Sequence, residues 1–186
     1  MKSLSLALTV LVFCSSPAWA NPVPYPPNCE FSTDVLNGVI LCPDEPGVIN
    51  ESVVLMTIRN QANNPMPDTY IIITFGQGPL CFCPSMSYTT MTDNEGHASL
   101  ILRGGGCLRG QDQAAVIRGN GSVVRDYFNV KSPDWDGASG NCLVNLGDVV
   151  RFVSHDPCFD FGNNGTVDLG DFVIFGAGYS PAHRCP

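Results

Sequence analysis

A five-residue segment occurs twice near the carboxyl end of the chain, and this repeat constrains the fold more than any other feature. Residues 144–148 read Val-Asn-Leu-Gly-Asp, and residues 167–171, 23 positions further on, read Val-Asp-Leu-Gly-Asp. Chance duplication of such a segment at this spacing is rare. The chain from residue 132 onward is therefore interpreted as two copies of one small structural unit.

The second copy ends a stretch with the ligand spacing of a twelve-residue calcium loop, here called the second loop (residues 160–171). Such a loop needs oxygen ligands at positions 1, 3, 5, 7, 9 and 12, and a glycine at position 6. Gly165 supplies that glycine, whereas Gly162 leaves position 3 to a water molecule. The predicted Ca²⁺ ligands are Asp160, Asn164, the carbonyl of Thr166, Asp168 and Asp171.

The first copy, here called the first loop (residues 134–148), fits the same spacing only if three residues within 137–140 are an insertion. Cys142 stands where glycine is wanted, so this loop is irregular. The alternative for either loop is an Asn/Gly-rich turn that holds no metal. Counted back from the repeat, the predicted ligands are Asp134, Asp136, Asn141, the carbonyl of Leu143, Asn145 and Asp148.

Each loop is followed by an apolar pattern that predicts a short helix, at residues 149–153 and 172–175. A helix before either loop is disfavoured by Pro133 and Pro157. Two loops with only exiting helices, and with aspartate at position 12, resemble a type I dockerin over residues 132 to about 179. The resemblance implies a small α-helical module, assigned to residues 132–186, that binds Ca²⁺.

The dockerin resemblance also implies a protein partner, a cohesin-like domain on a scaffold or cell surface. Many dockerin-bearing proteins degrade polysaccharides, which is the context that the resemblance implies. The near-identical residues at loop positions 10 and 11 leave room for binding in two orientations. Leucine and glycine are not the usual Ser-Thr pair there, so calcium-stabilised packing within the chain is a rival use. The predicted contacts are Leu146, Gly147, Leu169 and Gly170.

The region before the loops has the pattern of β structure. Short runs rich in Val, Ile, Thr, Tyr and Phe alternate with turn residues and show no helical period, which predicts a β-sandwich over residues 29–131. The run at 52–59 is apolar on both faces, which predicts a central strand. Three consecutive glycines at 104–106 are interpreted as a turn. The predicted strands lie at 38–42, 52–59, 70–75, 87–91, 98–102, 114–118 and 122–130.

Two passages of this region resemble bacterial Ig-like domains of the invasin type. Residues 57–68 read Thr-Ile-Arg-Asn-Gln-Ala-Asn-Asn-Pro-Met-Pro-Asp, and residues 92–100 read Thr-Asp-Asn-Glu-Gly-His-Ala-Ser-Leu. In the second passage Asp93 can bond its own backbone, Gly96 can take a positive φ, and Ala98 can point into a core. The resemblance implies an Ig-like sandwich.

The amino terminus has the form of a signal peptide. Lys2 precedes an apolar run at 4–13, and Ala18-Trp19-Ala20 has the small-x-small form of a cleavage site. We expect cleavage after Ala20, a proline-rich leader at 21–28, and a secreted or cell-surface protein. A buried amino-terminal helix is the alternative. No other apolar window is long enough to span a membrane.

Nine cysteines occur, of which eight follow the signal peptide, and an even number in an exported chain predicts disulfides. We expect Cys142 and Cys158 to bridge the two loops. A zinc site at Cys81 and Cys83 is the alternative use of the closest pair, although no second pair follows. Disulfides are also expected among Cys29, Cys42, Cys81, Cys83 and Cys107, with Cys185 as a candidate for the odd one.

The formal net charge of −8 argues against a nucleic-acid partner. No nucleophile–base motif or H-E-x-x-H motif occurs, so the chain is not expected to be an enzyme. The predicted function is that of a non-catalytic exported adaptor, attached through its calcium-loop module to a protein partner. The alternative is a surface or carbohydrate-binding adhesin in which the Ig-like domain binds and the calcium loops are only structural.

Overall fold

The computed structural model describes residues 22–33, 37–43 and 52–178, and this part of the chain is mainly β. The predicted signal peptide, the first leader residue and Cys185 lie outside these ranges. Two α-helices are described, α1 (Leu146–Val153) and α2 (Leu169–Gly178). The strands are β1 (Glu30–Phe31), β2 (Val39–Ile40), β3 (Val53–Thr57), β4 (Tyr70–Phe75), β5 (Leu80–Phe82), β6 (Thr89–Met91), β7 (His97–Ile101), β8 (Gly104–Gly106), β9 (Ala115–Gly119), β10 (Ser122–Tyr127) and β11 (Val130–Lys131).

Two antiparallel sheets contain most of the strands, in the orders β1-β3-β7 and β10-β9-β4-β6. In the first sheet Val54 pairs with Leu100, and in the second Ile73 pairs with Ile117. These four side chains belong to one buried cluster, so the sheets share a core. Alternation of buried with less buried residues along β3 and β4 contributes to this arrangement, because successive side chains point to opposite faces. Each of the seven predicted β runs overlaps at least one of the strands.

The strand predicted to be central, β3, does lie between two neighbours, but its two faces differ. Val54 and Met56 are buried, whereas Leu55 is 57% exposed. The prediction of a central strand is therefore confirmed, although only one face of β3 is covered by the core. An antiparallel sheet can cover one face with the core and leave the other to solvent, and one exposed leucine is tolerated there.

The three consecutive glycines form strand β8 rather than the predicted turn, and β8 pairs with β5. The close approach of the first loop to β8 explains why this strand consists of glycine. A Cβ at Gly105 would overlap the carboxylate of Asp134 and the backbone of Gly140, so the first loop can lie on this strand only because it has no side chains.

The helical region shares a core with the β region. Strand β11 pairs in parallel with β2, directly before the first loop. Ile40 and Cys42 then pack in one buried cluster with side chains of the loop region, namely Val144, Phe159, Phe161 and Phe175. Cutting the chain at residue 132 would therefore leave this second core incomplete.

The predicted Cys142–Cys158 disulfide is not formed. Cys158 instead bonds Cys107, 51 residues away, just after β8. The cause is the position of the first loop, which faces β5 and thus directs Cys142 toward Cys81 and Cys83. The bond ties the turn before the second loop to the β region. No helix among the described residues is long and apolar enough to cross a membrane.

Candidate metal centre

The second loop is organised by the carboxylate of Asp160 at position 1. Its two oxygens accept hydrogen bonds from the amides of Asn164 and Gly165, each at 3.0 Å. Gly165 has a φ of +91°, a conformation that glycine adopts without strain. The backbone at positions 5 and 6 therefore folds back so that its amides point at Asp160, the residue predicted to be the first ligand.

The first loop repeats this arrangement around the insertion. The carboxylate of Asp134 accepts hydrogen bonds from the amides of Asn141, at 2.8 Å, and Cys142, at 2.6 Å. Cys142 has a φ of +62°, which matches the conformation of Gly165 although it carries a side chain. Asn141 and Cys142 therefore donate to Asp134 in the same way as the residues at positions 5 and 6 of the second loop donate to Asp160.

The last four positions of the two loops are also alike. The carboxylate of Asp148 accepts from the amide of Asn145 at 2.7 Å, and that of Asp171 accepts from the amide of Asp168 at 2.9 Å. The side chains of Asn145 and Asp168 accept in turn from the amides two residues later, both at 2.7 Å. These bonds satisfy backbone donors that the first turn of a helix leaves unpaired, so each loop starts its own helix.

In the first loop, buried carboxylates lie close enough to repel one another. Burial raises the pKa of Asp134 to about 6, against the lowering effect of two amide donors, and the charges of Asp148 and Asp136 add to the rise. Burial also raises the pKa of Asp148, which the amides of Asn145 and Trp135 oppose. Asp136 itself is exposed, but it contributes to both shifts.

One carboxylate oxygen in this loop accepts no well-formed hydrogen bond. Oδ1 of Asp148 is buried and meets no donor of normal hydrogen-bond geometry in the described ranges, although the amide of Trp135 lies close enough to lower the pKa of this carboxyl. A buried anionic oxygen without a donor is costly, and a cation is the natural partner for it. Loop position 12 is also where calcium loops place a carboxylate ligand. The first loop therefore fits a hard divalent cation by its oxygen donors and by this unpartnered atom.

In the second loop the predicted side-chain ligands bond to each other and to the backbone. Oδ1 of Asp171 accepts from the amides of Phe161 and Gly162, at 2.7 and 3.1 Å. Asn164 donates to Asp168 at 3.1 Å and accepts from Thr166, whose carbonyl is the predicted ligand. Hydrogen bonds from Gly170 and Asn164 lower the pKa of the exposed Asp168 carboxyl. The donor set is again all oxygen and fits Ca²⁺.

Reasoning from the sequence missed two contacts at these loops. The ammonium of buried Lys131 donates to the carbonyl of Asp160 and, at 2.7 Å, to Asn163, so strand β11 anchors the second loop. Burial lowers the pKa of Lys131 to about 8. The other contact is a cluster at the first loop in which Cys81, Asp134 and Cys142 bring their polar atoms within 4.8 Å of one another. Burial raises the pKa of Cys142 to about 12. No local pattern signals either contact.

The residues predicted to contact a partner lie at the start of the two helices. Leu146 is 72% exposed and Leu169 is 76% exposed. Val150 and Val173, one turn further along each helix, are also exposed. We call these four residues the paired apolar surface. Gly147 and Gly170 lie next to the two leucines, and their amides bond to Asn145 and Asp168.

Comparison with known proteins gives no family. No family model matches the chain, and no curated protein and no solved structure is significantly similar to it.

Proposed function

We propose that this chain is a non-catalytic exported adaptor, in which an Ig-like β-sandwich carries a dockerin-like module that binds Ca²⁺ and attaches to a protein partner. The sandwich corresponds to residues 29–131 and the module to residues 132–186. The signal peptide at 1–20 would direct export. A cohesin-like domain is the proposed partner, in an extracellular or surface assembly linked to polysaccharide degradation.

Calcium binding is supported most directly by the unpartnered, buried Oδ1 of Asp148 at loop position 12. The recurrence of the same amide-to-carboxylate bonds in both loops supports two sites rather than one. Asp134 and Asp160 would hold position 1, and Asp148 and Asp171 position 12. Bound Ca²⁺ would neutralise carboxylates that otherwise repel one another in a buried site.

Attachment to a partner is supported by the paired apolar surface. Leucines at equivalent positions of α1 and α2 are about three-quarters exposed, although the neighbouring faces of both helices pack into a core. Exposed large apolar side chains that recur in register are a common feature of protein-binding sites. Because the two copies match, either helix could make the same contact with a partner.

Isothermal titration of the chain without residues 1–20 tests the calcium proposal. We expect two Ca²⁺ per chain, falling to one in Asp148→Ala and to one in Asp171→Ala. Asp112→Ala is the matched control, because Asp112 is an exposed carboxylate outside the loops. No heat of binding in the wild-type chain, or two sites in either loop variant, would contradict the proposal.

Affinity capture from secreted extract, with the full chain as bait, tests attachment. We expect a protein that binds with Ca²⁺ and is released by chelator. Leu146→Asp and Leu169→Asp should each retain it, whereas the double variant should lose it, because either helix suffices. If the double variant retained the protein, the binding site would lie in the β region, as the adhesin alternative requires. Binding of polysaccharide without any protein would also favour that alternative.

A further inference from the structure

Three cysteine sulfurs meet where the first loop lies against strand β5. Sγ of Cys142 is 3.2 Å from Sγ of Cys81 and 2.8 Å from Sγ of Cys83. Cys83 already belongs to a disulfide, whereas Cys81 and Cys142 are thiols. Both thiols are partly exposed, so an oxidant from solvent can reach them.

We propose that Cys81 and Cys142 are oxidised to a disulfide once the chain is exported. The two thiols lose two protons and two electrons as one Sγ–Sγ bond forms. The oxidant is a second disulfide, R–S–S–R, of the kind used in thiol–disulfide exchange, and it is reduced to two thiols. The sulfurs need to approach by only about 1 Å to reach a bond length of about 2.05 Å.

Cys81 is the partner of Cys142 even though the sulfur of Cys83 is closer. Attack of Cys142 on the disulfide of Cys83 would break one bond for each bond formed, so the number of crosslinks would not change. Oxidation of two thiols adds a crosslink without losing one. An exported chain meets oxidising conditions, which favour the state with more disulfides.

The bond would fasten the first loop at its most irregular position. Cys142 takes the place of glycine with a positive φ, which other residues adopt at some cost. A covalent bond to β5 would hold this conformation and keep the amide of Cys142 directed at Asp134. Its effect on Ca²⁺ rests on the proposed function, but the existence of the bond does not.

Peptide mapping of the unreduced full chain tests the bond directly. Thiols are alkylated before digestion, and chymotrypsin is used because cleavage after Phe82 separates Cys81 from Cys83. We expect a crosslinked species that contains Cys81 and Cys142. Alkylation of both residues, or a link from Cys142 to Cys83, would overturn the proposal. This result is independent of whether the chain binds Ca²⁺.

Melting temperatures of serine variants give a second readout. Cys81→Ser, Cys142→Ser and the double variant should all melt lower than the wild type by a similar amount, about 5 °C, because each removes the same bond. Cys29→Ser removes a thiol whose hydrogen bonds, in the described part of the chain, go to the carbonyls of Tyr25 and Arg59, and it should change the melting temperature little. Additive losses in the double variant would indicate independent thiols. An equal fall when the wild-type chain is treated with a zinc-selective chelator in the presence of excess Ca²⁺ would assign the pair to a metal, and either result would overturn the disulfide.

Discussion

In the first loop the carboxylates of Asp134 and Asp148 are fully buried, and Asp134 lies beside β8, whereas in the second loop Asp168 is exposed. Asp171 is buried too, but both of its oxygens accept hydrogen bonds from amides. Oδ1 of Asp148 accepts no hydrogen bond of normal geometry among the described residues, although the amide of Trp135 lies near this carboxylate. The loop that departs from the calcium-loop spacing is thus the one with the least compensated charge.

This difference shows that agreement with the calcium-loop spacing and dependence on calcium are separate properties of a loop. Agreement with a ligand pattern describes how a loop can fold around an ion. The stabilisation gained from the ion depends also on how much uncompensated charge the fold buries, and in the first loop the close approach of β8 contributes to the burial of Asp134. We therefore expect the irregular first loop to depend on calcium at least as strongly as the regular second loop.

Removal of calcium should have the largest effect on stability. An ion at a hundred times its dissociation constant adds about 2.7 kcal/mol per site if it binds only the folded chain. With two sites, chelator should lower the melting temperature of the full chain by roughly 10 °C. Scanning calorimetry with and without chelator measures this. A variant with both Asp148→Ala and Asp171→Ala is the control and should be insensitive to chelator, and an unchanged wild-type curve would refute calcium-dependent stability.

Gly105→Ala should disrupt the first loop and leave the second intact. The added methyl group would overlap the carboxylate of Asp134, which displaces the loop and lowers the free energy of unfolding by about 3 kcal/mol. Calcium titration should then find one site instead of two. Gly176→Ala is the control, since no described atom lies within 4 Å of the new Cβ, and it should stabilise helix α2 by about 0.5–1 kcal/mol. Two intact sites in Gly105→Ala would show that β8 does not position the first loop.

Neutralising the last carboxylate of each loop should have opposite effects in the calcium-free chain. Asp148→Asn removes a buried charge with an unpartnered oxygen, so it should stabilise the chain by about 1 kcal/mol. Asp171→Asn loses acceptor capacity for three amide donors and should destabilise it by about 1–2 kcal/mol. Urea unfolding in the presence of chelator measures both. If both variants were stabilised, or both destabilised, the proposed difference between the loops would be refuted.

Substitutions at the paired apolar surface should have the smallest effect on folding. Leu146→Ser and Leu169→Ser replace exposed side chains, so each should change the free energy of unfolding by less than about 0.5 kcal/mol. Phe175→Ala, in the buried part of α2, serves as the contrast and should cost about 3–5 kcal/mol. A large loss at either leucine in urea unfolding would show that the surface is packed within the chain, as the rival structural use requires.

Local sequence patterns predicted the elements that depend on neighbours in sequence. The alternation of apolar residues placed the longer strands, and the repeated segment placed both helices and the ends of both loops. The same patterns missed β1, β5 and β8, each of two or three residues, and included only the first residue of β11. Strands this short acquire their conformation from the strand they pair with, so residues 104–106 gave a turn signal in isolation.

By itself the sequence determined which residues can offer oxygen to an ion, because the spacing of Asp and Asn within a loop is local. Only the tertiary structure decided how those oxygens are compensated and which cysteines meet. Cys158 bonds Cys107 across 51 residues, and Cys142 lies against the sulfur of Cys81 in β5 instead. The reason is physical: burial, charge repulsion and sulfur contacts arise between segments far apart in the chain, and no residue pattern within one segment specifies them.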